Sequence, residues 1–517
     1  MRPVRPASAH AGLRPLCSIS TVGPRRYNVA VSRRLLKESK GQAMGESFNL
    51  LDERWLPIIW KNGTPGKVGI REALLQAGKI RQIAASNPMD RVAIVRFLLA
   101  VLYWCKGNPP DSGSATPEDG LQSGWFTRLE ANRDRFNLLG DGTRFLQDRN
   151  AQRRRAATDL IQEVPTGNNF WHFRHSTDEF EGLCPACCAT GLLRLPLFCV
   201  SGLPDLKAGI NGTPPVYVVP WGTSLLETLK ANWTPCGNLG DPAWIDPAIR
   251  PAHDQDVPLL TGLTLLSRRV WLHVPTPPPG PCICCGAKEP TLIRTCEFQS
   301  AGEQRNDHWN DPHAVYITEA PRKAARAADL TRAGRFSMDR PWPDLLANII
   351  ETGKFADGNN AVCILLVGFA TDKAKNIDVW ERTLWIPARG TMQPNAALLI
   401  HRWQKESSIL KRRLQRVHEK ISGRKHVEIP PMLAAIRPQV EDRVSAMAGE
   451  LLSGSDAIWE QAAGEYRTMM GAVAKSLSPG FTVSAVARRR QIESVAPNMR
   501  AVAETGKKLP RAKGGNK

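Results

Sequence analysis

Long apolar runs are missing from this sequence. The longest, Val92 to Cys105, has 14 residues and is interrupted by Arg96, whereas a bilayer-spanning helix needs about 20. This argues against an integral membrane protein. An apolar signal-peptide core is missing too, so the expected compartment is the cytoplasm. Walker, His-Glu-x-x-His and Gly-x-Ser-x-Gly motifs are absent, which removes the chemistries those signatures carry. Acid is in short supply: 49 Asp+Glu face 69 Lys+Arg, a net charge of +20. A surplus of that size points to a polyanionic partner, most simply nucleic acid. What is present is ordinary for a folded chain. The 517 residues are 42% apolar and 23% charged, enough for two to four domains with substantial cores.

The basic surplus is unevenly placed. Residues 1–43 net +8, residues 395–425 net +7 and residues 488–517 net +7, so the rest nets −2. The first segment is Arg-, Pro- and Ser-rich and reads as a disordered basic leader, with Met44 as the expected start of the working protein. The last, ending in Lys507, Lys508, Arg511, Lys513 and Lys517, reads as a basic tail over 507–517.

Between these ends the patterning is mixed. Residues 48–60 look strand-like and turn at Asn62-Gly63, predicting a hairpin. Asn87 and Pro88 suit a helix start. The following stretch is apolar nearly all round, which predicts a buried helix. Val216 to Val219 and Ala361 to Val367 read as strands, the second buried. After Pro394, the spacing of Leu399, Trp403, Leu410, Leu414, Val417 and Ile421 is helical, and three more helical stretches follow. The expected fold is therefore α+β: a large mixed α/β domain over 44–380, then a four-helix bundle over 381–506.

Six of the 12 cysteines fall in two clusters, Cys184-Pro-Ala-Cys187-Cys188 and Cys282-Ile-Cys284-Cys285-Gly286. Two Cys-x-x-Cys knuckles supply four thiolates to a tetrahedral zinc, and four protein ligands leave no open position, so the metal would be structural. The expected ligands are Cys184, Cys187, Cys282 and Cys285, with Cys188 and Cys284 as competing sulfurs. Disulfides, a redox dithiol and buried metal-free thiols are the alternatives. His308, Asp311 and His313 cluster around Trp309, but a polar turn explains them better than a catalytic site. No catalytic residue is assigned.

Several motifs then agree in order. Phe48-Asn-Leu-Leu-Asp-Glu-Arg-Trp-Leu-Pro-Ile58, Arg135-Phe-Asn-Leu138 with Arg144-Phe-Leu-Gln147, Gly167-Asn168-Asn169 through Phe173, Gly209-x-x-Gly212-Thr-Pro214, the two knuckles and Trp309-x-x-Pro312-His313 together resemble the CasA family. That family is the large subunit of the type I-E CRISPR Cascade effector. The resemblance implies a non-catalytic subunit of an RNA-guided surveillance complex. Such a subunit reads the short flanking motif (PAM) in double-stranded target DNA, promotes duplex opening and R-loop formation, and recruits a helicase–nuclease. Its implied partners are the other Cascade subunits, guide crRNA, target DNA and that helicase–nuclease. Asn168, Asn169 and Phe173 match the family's DNA-facing loop, Gly202 its glycine-rich segment, and Thr371, Lys373 and Asn376 its duplex-splitting wedge. Lys411, Arg412, Arg413 and Arg416 suit the phosphates of the displaced strand. The family's minor-groove lysine has no counterpart at 297–305, where Arg305 and the nearby Lys288 are the substitutes. A zinc-stabilised nucleic-acid-modifying enzyme and a generic zinc-ribbon DNA-binding protein remain the alternative readings.

Overall fold

The structure is a computed structural model. It describes residues 47–392 apart from 111–119, 162–181, 201–205, 253, 303, 320–329, 335–348, 351–354, 356 and 373–374, together with 461 and 464. All of these belong to the unit Gly45–Lys517. The leader, the tail and all of the expected bundle range except 381–392, 461 and 464 lie outside the described residues.

Strands β1 (Leu56–Trp60), β2 (Pro65–Val68) and β3 (Ile80–Ile83) form an antiparallel sheet in the order β2–β1–β3. The turn between β1 and β2 is the expected one. Asn62 Oδ1 accepts from the Thr64 amide at 3.0 Å, and Gly63 takes φ of 87°, a left-handed conformation open to glycine at little cost. Residues 50–55 differ from expectation. They form a turn rather than a strand, because Trp55 is buried and its indole N–H donates to the Leu50 carbonyl at 2.9 Å.

Helix α1 (Pro88–Lys106) starts where the capping signal places it, with Asn87 Oδ1 accepting from the Met89 amide at 2.8 Å. Every residue from Val92 to Trp104 is buried, as an all-round apolar helix requires. Phe97 meets Phe145 and Trp244 edge-on at 5.3 and 5.7 Å, geometry that adds about 0.5–1.5 kcal/mol per aromatic pair beyond area burial. The remaining site-building elements are β4 (Arg154–Ala156), α2 (Pro185–Phe198), β5 (Tyr217–Pro220), α3 (Leu225–Asn232), β6 (Arg268–Leu272), β7 (Gly280–Pro281), β8 (Lys288–Glu289), β9 (Thr295–Ser300), β10 (Val362–Asp372) and β11 (Lys375–Ile386). Helix α1 packs against α2.

Two further antiparallel sheets run β4–β9–β6 and β11–β10–β5. The second is buried on both faces. Tyr217, Val219, Leu365 and Val367 join the main core, while Val216, Val218, Ile364 and Leu366 join a second cluster with Trp380 and Ile386. Double-sided burial explains why the Ala361 to Val367 run shows no polar alternation. The mixed helix-and-sheet class is as expected. The boundary placed near 380 is not, because residue 380 lies inside β11, whose pairing with β10 continues to Ile386.

Candidate nucleic-acid interface and metal centre

Cys184 is the N-cap of α2, with Pro185 in the first turn, so the helix start presents Cys184 and Cys187 together. The second knuckle is the turn between β7 and β8. There Cys282 N–H donates to the Ala287 carbonyl and Gly286 N–H to the Cys282 carbonyl, both at 2.8 Å. Gly286 sits at φ of 73°, so a side chain would strain the turn. The two knuckles are docked by the paired amides and carbonyls of Leu183 and Ile293, both at 2.9 Å.

The result is a four-sulfur cluster. Sγ atoms of Cys184, Cys187, Cys282 and Cys285 all lie within 4.8 Å of one another, and Cys184 and Cys285 are 3.7 Å apart. Tetrahedral zinc with bonds of about 2.3 Å has sulfur–sulfur edges of about 3.8 Å, so the donor set fits that ion. The Cys184 amide donates to Cys282 Sγ at 3.3 Å, an outer hydrogen bond of the type that stabilises thiolate ligands. Hydrogen bonds from Cys184 and Cys187 hold the Cys282 thiol well below its ordinary value. Of the competing sulfurs, Cys188 is fully buried and burial pushes its thiol up. Cys284 is exposed and hydrogen-bonds Cys187, but it is not one of the four clustered sulfurs.

The DNA-facing candidates divide. Asn168, Asn169, Phe173, Gly202, Lys373, Lys411, Arg412, Arg413 and Arg416 lie outside the described residues. The backbone positions of Thr371 and Asn376 are described. They are register partners at the tip of the β10–β11 hairpin, just past a bulge between Ala370 and Thr371. Along β10, strand β5 pairs with Ile364 to Val367 among the described residues. From Gly368 to Asp372 the ribbon therefore has lost that third strand, over about 17 Å at 3.4 Å per residue.

The flanks of Gly202 are anchored to the β4–β9–β6 sheet. Arg268 donates to the Lys207 carbonyl at 2.6 Å and to the Val200 carbonyl at 2.8 Å, and Ser300 Oγ accepts from the Lys207 amide at 3.2 Å. Ser300 falls in the segment searched for a lysine; the exposed lysine beside it is Lys207, contributed by a distant part of the chain and invisible to a local motif search. Arg305 is exposed and paired with Asp307 at 3.0 Å. Lys288 lies on β8, opposite Pro281.

Around Trp309, Asp311 and His313 are buried whereas His308 is exposed. Asp311 and His313 are 0% and 2% exposed. Arg96 of α1 grips Asp311 with two hydrogen bonds, of 2.6 and 3.1 Å, and its Nη1 lies 2.8 Å from His313 Nδ1. Arginine only donates, so Nδ1 accepts and the His313 proton sits on Nε2, which donates to Asn232 Oδ1 at 3.0 Å. Asn232 in turn donates to the Pro220 and Thr228 carbonyls. Burial opposes the Asp311 charge, but Arg96 overcomes it and holds the carboxyl below the usual range.

Against this geometry, comparison with known proteins is decisive. The profile of the family described as CRISPR-associated protein Cse1 matches residues 49–496. The chain belongs to the Cse1 family. A CasA/Cse1 protein of Thermus thermophilus is 34% identical over 224 residues, covering 40% of this chain. That alignment spans only 43% of the relative's length. The crystal structure of Thermus thermophilus CasA superposes with a TM-score of 0.59 at 19% identity, covering 89% of this chain and all of that one. Thermobifida fusca Cse1 gives a TM-score of 0.61 at 19% identity over 89% and 98%. A chain from a CRISPR RNA-guided surveillance complex gives 0.61 at 16% identity over 89% and 98%. At these identities the superpositions establish a shared fold. Among the described residues, no helix is long and apolar enough to cross a membrane.

Proposed function

We propose that this Cse1-family chain is the non-catalytic large subunit of a type I-E Cascade complex, acting in the cytoplasm with the other Cascade subunits and guide crRNA. In this reading it recognises the PAM in double-stranded DNA, promotes duplex opening and R-loop formation, and recruits the helicase–nuclease. The observation that carries the reading is the β10–β11 hairpin, which brings Thr371 and Asn376 to the tip of a ribbon that outruns its sheet. A narrow two-stranded tip suits insertion at a base step, where unstacking costs a few kcal/mol. The Gly202 flanks, held by Arg268 and Ser300, support a second contact by backbone approach to a groove. Cys184, Cys187, Cys282 and Cys285 would hold a structural zinc, with no position left for substrate. The closed hydrogen-bonding of Asp311 and His313 likewise supports a non-catalytic role.

Replacing Thr371–Asn376 by an Asn-Gly turn shortens the tip while keeping a hairpin-compatible turn. Affinity for an intact duplex target is expected to fall at least about tenfold, matching about 1.4 kcal/mol. Affinity for a target with the PAM-proximal bases already unpaired should be unchanged. Equal losses on both, measured by electrophoretic mobility shift with the assembled complex, would contradict the wedge role.

A further inference from the structure

Residues Arg149 to Arg155 carry four arginines and no acid, a strip concealed when the chain is netted in long segments. The fold puts it against an aromatic platform. Arg154 of β4, Glu297 of β9 and Trp271 of β6 are register partners in one row, with Gln299 and Arg269 in the next. Register partners share a sheet face. Trp271 is clasped by two guanidinium groups, Arg144 at 4.3 Å and Arg149 at 4.9 Å from the ring centroid. Arg144 is buried and locked by hydrogen bonds to the Leu272 and Gly140 carbonyls at 2.7 and 2.8 Å, so it fixes the indole from behind. Arg149 and Arg154 are exposed.

The carboxylates of this row are engaged. Glu297 is 3.2 Å from His273 Nε2, and Asp148 is 3.4 Å from Arg269 Nε. Asp141 also faces Arg144, but burial and then the neighbouring Arg149 lower the Arg144 pKa. The Arg144 and Arg149 guanidinium groups are crowded about the same ring. Arg155 belongs to a different contact, with Asp159 at 3.2 Å.

We propose that this sheet face is a sequence-blind track for the phosphate backbone of duplex DNA, with Arg149 and Arg154 as its phosphate contacts. Guanidinium forks match phosphate oxygens, and backbone contacts of this kind position a duplex without reading it. The occupant is duplex DNA because the exposed guanidinium groups of Arg149 and Arg154 complement a phosphate backbone, while the neighbouring carboxylates of Glu297 and Asp148 are already engaged. The choice of duplex rests on the function proposed above.

The test uses the full chain, a short mixed-sequence duplex and a single-stranded RNA of equal length, followed by anisotropy against salt. Arg149→Ala/Arg154→Ala should flatten the slope of log affinity against log salt on duplex by about 1.8, at about 0.9 per lost contact. The salt-induced loss between about 50 and 200 mM then becomes about twelvefold smaller. Arg149→Lys/Arg154→Lys should keep the slope. An unchanged slope in the alanine variant, or a loss confined to RNA, overturns the track. In the assembled complex, the alanine variant should weaken all PAM variants equally and preserve their ranking, and a changed ranking would also overturn it. If the unmodified complex ranks no PAM above another, the PAM reading fails while the salt slope still decides the track.

Discussion

Cys282→Ser should empty the metal centre and loosen the contact between α2 and the β7–β8 turn. Cys282 is buried and receives the Cys184 amide at 3.3 Å. Apparent binding energies of structural zinc in small thiolate and imidazole sites are about 10–16 kcal/mol at pH 7, so losing a ligand forfeits several kcal/mol even where a hydrophobic core remains. Bound zinc should drop from about one per chain to near none, and the urea midpoint should fall with it. Cys284→Ser should retain the metal, because its sulfur lies outside the four-sulfur cluster. Acid should also strip the site, since thiolate ligands must be deprotonated to bind. Elemental analysis of the purified variants checks both expectations. Full zinc retention in Cys282→Ser, or loss in Cys284→Ser, would reassign the ligands.

Arg96→Met should destabilise the fold by about 3–5 kcal/mol, the usual cost of stranding one member of a buried ion pair. Asp311 is completely buried, and Arg96 supplies two of its hydrogen bonds. The variant leaves that carboxylate against an apolar side chain. Arg96→Met/Asp311→Asn should recover much of the loss, because it removes the stranded charge and the His313 amide can still donate to the single carbonyl oxygen of a neutral amide at 311. The acid dependence has a definite sign. Asp311 titrates lower folded than unfolded, so its stabilisation is complete above the ordinary carboxylate value near about 3.9 and is lost only as pH falls below that. Wild type and Asp311→Asn should therefore converge in strongly acid solution and separate above about pH 4. Urea unfolding across that range tests it, and a double variant no better than Arg96→Met would refute the coupling.

Local signals in the sequence located most of the described elements. The Asn62-Gly63 turn, the Asn87 cap with Pro88 and the apolar run in β10 each act over a few residues, so motif and periodicity suffice to find them. The cysteine spacing named the four clustered sulfurs for the same reason. What escaped is long-range. Arg96 stood out as a charge in an apolar helix, but its partner lies 215 residues away. Lys207 meets Ser300 across 93 residues. The arginine strip gains its aromatic platform only when β4 and β6 flank β9. The expected boundary near 380 failed because β11 mixes polar and apolar residues along a strand that is only partly covered, which hides it from a search for apolar runs.

The central claim is that this chain confers duplex recognition on a guide-loaded complex. The most direct measurement is binding of intact and pre-opened target DNA by that complex, assembled with and without the chain. The account predicts that omission abolishes PAM-dependent binding of the intact duplex and spares binding of the pre-opened strand. Unchanged PAM-dependent duplex binding without the chain would contradict it.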